Sequence, residues 1–141
     1  MKRMINTSKI KEYQPILEIL LASLSAFLVH KLAFFFLDYL TIETAFQYSL
    51  FQVYLFFFIC SVSIVFLLIQ VKKRDIDNVG NGFLLLTLIK IGIAFLFANP
   101  IVSSTSKFKD IERMDFFIVF AVFLTIETVV TIRILNNKQQ N

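Results

Sequence analysis

Residues 50–71 read LFQVYLFFFICSVSIVFLLIQV, twenty-two positions without one charged side chain, and the next three are Lys72, Lys73 and Arg74. As a helix rising 1.5 Å per residue, the stretch is about 33 Å long. That length crosses the roughly 30 Å hydrocarbon core of a bilayer. A soluble helix would carry a charged stripe on its outer side, and this one has none. The reading is a membrane span that ends where the cations begin.

Three more stretches have the same character. They cover about 16–37, opened by Pro15, about 83–99, stopped by Pro100, and about 116–135. Pro15 suits the first turn of a helix, and Gly80-Asn81-Gly82 is a turn signal just before the third stretch. Of the 141 residues, 57% are hydrophobic and 17% charged, with a mean hydropathy of +0.76. Ordinary soluble domains hold about 45–50% apolar and about 25% charged residues, so too little polar surface remains to face water. The fold class expected is all-α, an integral membrane bundle of four helices. Residues 1–15 form an N-terminal segment, 16–135 a single transmembrane domain and 136–141 a tail. Met1-Lys2-Arg3 before an apolar stretch is faintly like a signal peptide. The apolar sequence runs on to Leu37, however, which makes an uncleaved anchor the expectation.

The basic residues give the orientation. Lys2, Arg3, Lys9 and Lys11 precede span 1, Lys72, Lys73 and Arg74 follow span 2, and Arg133 and Lys138 close the chain. The first linker holds Asp38 and Glu43 without a cation. The third mixes Lys107, Lys109 and Arg113 with Asp110, Glu112 and Asp115. Nine cations thus fall on one side and three on the other, and the richer side is cytoplasmic by the positive-inside rule. Both ends are therefore expected in the cytoplasm. The net charge of +4 comes from span flanks and forms no basic face, so nucleic acid is not an expected partner. The acids of the third linker, alternating with bases, read as a solvated loop.

Charge inside a span is the informative anomaly, because it costs roughly 2.5–3.5 kcal/mol on insertion scales and therefore seeks a partner. Lys90 in span 3 lies about 10 Å above Phe83, and Glu127 in span 4 about 12 Å above Leu135. Opposite charges at nearly one height on consecutive spans fit a structural ion pair. Two other readings stand beside it: contact with a charge on a partner or ion, and snorkelling of the lysine to the interface. Lys90 shares a stripe with Thr87, Ala94 and Ala98, the small residues on which helices pack closely in membranes. His30, on a face with Ala22, Ala26 and Ala33, reads as a satisfied interhelical hydrogen bond, with proton handling as the alternative. Lys31 can reach Asp38 or headgroups, and Glu18 can reach Lys72, Arg74 or Arg133. The phenylalanine runs at 34–36 and 56–58 wrap their helices, so part of each faces lipid or a partner. Cys60, the one cysteine, reads as a small buried hydrophobe. No phosphate-binding glycine loop, nucleophile–histidine–acid set or paired metal-ligand motif occurs. No enzyme activity and no cofactor are expected.

Leu84-Leu85-Leu86-Thr87-Leu88-Ile89-Lys90 with Asn99-Pro100-Ile101, and Asp115-Phe116-Phe117-Ile118 with Ile126-Glu127-Thr128 and Ile134-Leu135-Asn136, carry a resemblance. They are similar to a family of four-span bacterial inner-membrane proteins often encoded beside the F-type ATP synthase genes. The resemblance covers mainly residues 83–136. In that family a lysine follows a leucine-rich start of span 3, a proline closes it, and span 4 carries a glutamate. The architecture is also similar to ATP synthase subunit I, implicated in assembling the rotor ring. The resemblance implies an accessory or assembly role beside ATP synthase membrane subunits, with Lys90 as a cation able to meet the ring's carboxylate. It assigns no catalytic residue. The competing expectation is a small transporter or ion pathway using Lys90, Glu127 and His30, which needs a homo-oligomer because four spans rarely enclose a path.

Overall fold

Ser49 opens the second long helix with a capping box. Its hydroxyl accepts from the Gln52 N–H at 3.3 Å, and the Gln52 side chain accepts from the Ser49 N–H at 3.0 Å. Two backbone donors that would otherwise lack partners are thereby satisfied. The computed structural model describes residues 11–136. Within them run four long helices, α1 (Gln14–Phe36), α2 (Leu50–Arg74), α3 (Val79–Val102) and α4 (Lys109–Asn136). A one-turn helix, Leu40–Glu43, follows α1, and a 3-10 turn, Ile76–Asn78, precedes α3. The described residues are all-helical, 87% of them in helices, and no strand occurs among them. All four long helices are long and apolar enough to cross a membrane. The expected cations Lys2, Arg3, Lys9 and Lys138 lie outside the described residues.

Three boundaries differ from the sequence reading, each for a local reason. Gly80-Asn81-Gly82, expected as a turn, is helical. The reversal is made upstream, where the Asp75 carboxylate accepts from the Asp77 N–H at 3.1 Å and the Asn78 side-chain amide at 2.7 Å. A Cβ on Gly82 would sit 3.5 Å from Leu68, so the glycine meets α2 at ordinary contact distance. Pro100, expected to stop span 3, lies inside α3, which continues to Val102 and closes with a Ser103 N–H to Asn99 carbonyl bond of 2.9 Å. Span 4, expected from about 116, begins at Lys109, with Asp110 and Glu112 in a first turn whose dipole favours acids.

α1 ends as expected near residue 37, in a Schellman motif. Tyr39 N–H donates to the Phe34 carbonyl at 2.9 Å and Asp38 N–H to the Phe35 carbonyl at 3.4 Å, with Asp38 at φ 56°. Asp is among the few residues other than glycine that visit this left-handed region.

α2 and α4 pack on each other, and α1 and α3 each pack on both of them without extended contact between themselves. The flanking helices therefore lie on opposite sides of a central pair. Within their most apolar windows, 44% of α2 and 33% of α4 is buried, against 17% of α1 and of α3. The exposed faces carry Leu21, Leu24 and Leu28 on α1 and Leu88, Phe95 and Leu96 on α3. Such a surface is far larger than the apolar patches soluble monomers tolerate, and it suits lipid. The interior divides in two. An aromatic cluster built around Tyr54, Phe57, Phe116 and Phe123 fills the end away from the described termini. An aliphatic cluster of Ile19, Val65, Leu68, Val130 and Ile134 fills the other.

Most span hydroxyls are satisfied within their own helices. Ser23, Ser25, Ser63, Thr125, Thr128 and Thr131 each donate to the carbonyl four residues back, the usual way such groups survive away from water. Ser61 does otherwise.

Candidate functional site

Lys90 is carried inward by the stripe that the sequence marked. Ala94 is buried beside it, and Thr87 and Ala98 are half-buried. The Lys90 ammonium lies 2.6 Å from Glu127 Oε1, and the two side chains are 1% and 0% exposed. The Ser61 hydroxyl donates to the same oxygen, so α2, α3 and α4 meet at one carboxylate. The faces of Phe57 and Phe120 complete the surroundings, each ring centre 5.5 Å from the ammonium, close enough for cation–π attraction. Glu127 Oε2 and the Thr87 hydroxyl make no hydrogen bond. Snorkelling is thereby excluded, since the ammonium reaches neither interface. Of the readings open in the sequence, the internal ion pair is the one the geometry fits.

His30 joins α1 to both central helices. Its Nδ1 lies 3.0 Å from the Tyr54 hydroxyl and its Nε2 2.7 Å from Asp115 Oδ1. The Tyr54 hydroxyl also donates to the Ala26 carbonyl at 3.4 Å. The interhelical hydrogen bond expected of His30 is present, to Tyr54, and the imidazole also has a carboxylate in ion-pair contact that the sequence did not suggest. Ala33, placed on the His30 face in the sequence, is exposed, and Phe34 takes the inward position and packs edge-on to the imidazole at 4.9 Å.

The acids of the third linker need the largest correction. Glu112 and Asp115, expected in a solvated loop, are 2% and 5% exposed and lie on the first turns of α4. Glu112 accepts from the Tyr48 N–H at 3.1 Å and so fastens the approach to α2. Asp110, by contrast, is exposed as expected. Lys31 pairs with Glu43, at 2.8 and 2.9 Å to its two oxygens, instead of with Asp38. Asp38 is used in the chain reversal, whereas Glu43 is already held by the Leu50 N–H at 3.0 Å. Glu18 takes Arg133, at 3.0 Å, among its three expected partners. Cys60 is half-buried and free.

Among the described residues no hydrogen bond or ion pair joins the Lys90–Glu127–Ser61 cluster to the His30–Asp115–Tyr54 cluster. Between them runs a wall of rings: Tyr54 meets Phe123 at 5.6 Å and Phe123 meets Phe57 at 6.0 Å, with Phe57 and Phe123 fully buried. Each cluster holds a carboxylate, a base or cation, and a hydroxyl, which suffices to move a proton locally. Among the described residues no three or more His, Cys, Asp or Glu side chains converge as a metal site. No family model matches the chain, and neither does any curated protein or any solved structure.

Proposed function

We propose that the chain is a non-catalytic accessory or assembly protein of the bacterial inner membrane, with both ends in the cytoplasm. We propose further that it serves the membrane sector of the F-type ATP synthase. The observation that carries the first part is the inward turn of Lys90, Glu127, His30 and Asp115 onto one another. Such a bundle offers lipid and neighbours an apolar exterior, and a partner within the membrane meets it by shape and packing on α1 and α3. The nine-to-three distribution of cations supports the orientation. The ATP synthase rests on the resemblance of residues 83–136.

A direct role for Lys90 against a rotor carboxylate is disfavoured, because Glu127 already occupies the ammonium. The alternative, an oligomeric ion pathway through Lys90, Glu127 and His30, has the ring wall of Phe57 and Phe123 in its way.

The test is the amount of intact ATP synthase on native gels from wild-type and deletion strains, with ATP hydrolysis normalised to that amount. Less complex with unchanged turnover per complex is the expected result. An unchanged amount under several growth conditions overturns the assembly reading, and ion flux in proteoliposomes would then favour the pathway. Reporter fusions after Arg74 and near Thr105 should report opposite sides of the membrane, cytoplasm and exterior respectively.

A further inference from the structure

We propose that the cleft at the end of the bundle carrying both described termini binds an anionic phospholipid, headgroup in the cleft and one acyl chain along α1 and α4. The cleft, about 530 Å³, lies between the start of α1 and the ends of α2 and α4. Four cations border it, Lys11, Lys72, Lys73 and Arg133, with two carboxylates, Glu12 and Glu18. Both carboxylates are engaged, Glu12 by Lys73 and Glu18 by Arg133. Lys11 and Lys72 make no ion pair among the described residues, so the cleft keeps an excess of two positive charges. It flanks the ends of three apolar spans, the depth at which lipid phosphates lie.

The second observation is what adjoins it. Glu18 and Arg133 also border a furrow of about 350 Å³ between α1 and α4, walled by Leu21, Ala22, Ile126 and Val129. A basic basin opening into an apolar furrow along the span has the form of an amphiphile. Inorganic phosphate would use the basin alone, and a zwitterionic lipid would bring an ammonium to a site already rich in cations. Basic pockets between transmembrane helices take anionic headgroups on the same grounds. The assignment holds for either leaflet and is independent of the proposed partner.

The experiment is native mass spectrometry of the full chain in mild detergent, with phosphatidylglycerol, phosphatidylcholine or inorganic phosphate added. Phosphatidylglycerol should be retained roughly tenfold better than phosphatidylcholine, and phosphate should not displace it. Lys11→Gln with Lys72→Gln should lower that retention by roughly tenfold, leaving the helical circular dichroism and unfolding temperature in lipid-free detergent unchanged. Lys11→Arg with Lys72→Arg should keep it. Thr125→Phe, which fills the exposed furrow, should weaken retention of both lipids. Equal retention of the two lipids, or full retention by the glutamine variant, overturns the proposal. Displacement by phosphate, or indifference to Thr125→Phe, would make this a free-phosphate site and overturns it equally. If the glutamine variant does not fold, discrimination between the two lipids by the wild type and the arginine variant decides.

Discussion

Lys90 and Glu127 meet in the middle of their helices, whereas His30 and Asp115 meet near the end of theirs, and the surroundings differ accordingly. The first pair lies between an aromatic and an aliphatic cluster, closed off by Phe57, Phe120 and Ser61. The second is 13% and 6% exposed at the side chains, and it belongs to a polar end where Glu112 holds Tyr48 and Glu43 holds both Lys31 and Leu50. A charge far from both interfaces has one solution, an internal counter-charge. Near an interface it can instead fasten the connections between helices. The mid-span pair thus fixes which helices are neighbours, and the end cluster fixes where the loop between α1 and α2 is tied down.

That contrast is open to attack most directly at Glu127. Lys90→Met or Glu127→Gln alone strands one buried group and should destabilise by about 3–5 kcal/mol. The double substitution should recover much of that loss. Unfolding in mixed micelles titrated with a denaturing detergent measures the cycle, and additive losses would mean the two residues do not depend on each other. Phe57→Ala attacks the wall between the clusters. Truncating a fully buried phenylalanine typically costs about 3–5 kcal/mol, and here it also removes one ring face from Lys90. A loss below about 1 kcal/mol would mean that the wall is loosely packed.

The two clusters were not equally legible. A lysine in an otherwise unbroken apolar run stands out, and helical rise alone gave its height relative to Glu127. Asp115 and Glu112 sit among Lys109, Asp110 and Arg113, where local charge density looks like a loop. The overlooked signal was periodicity: Glu112, Asp115, Phe116, Val119, Phe123, Glu127, Val130, Thr131 and Ile134 form one inward stripe in which each residue lies three or four positions from another. It runs without a break from the charged segment into the apolar one. The four helices were legible because their length and hydropathy are properties of single segments. The pairing of α2 with α4 was not, because it depends on which faces meet, and chain order points only to consecutive helices as neighbours.

Asp115→Asn measures the end cluster. The substitution keeps the shape, removes the charge opposite His30, and should destabilise by about 1–3 kcal/mol. Its effect should be lost in a His30→Phe background, since the two residues act on each other. A loss equal to that of Glu127→Gln would erase the distinction between mid-span and end charges.

The smallest effect is expected at Glu18 and Arg133, and it probes the same distinction from the exposed side. Their carboxylate and guanidinium lie 3.0 Å apart, hardly farther than Lys90 and Glu127, yet the side chains are 28% and 62% exposed. Distance would rank the two pairs nearly alike, whereas solvation ranks them far apart. Exposed pairs contribute about 0–1 kcal/mol, since water and mobile ions compensate each charge when its partner is gone. Glu18→Gln in lipid-free detergent should therefore cost less than about 1 kcal/mol. That small cost should shrink further as salt shortens the screening length below about 10 Å. The cost of Lys90→Met should stay constant across the same salt series, because mobile ions do not enter the space between Phe57 and Phe120. If Glu18→Gln proved as damaging as Glu127→Gln, or if salt relieved both equally, depth within the bundle would not be what separates these charges.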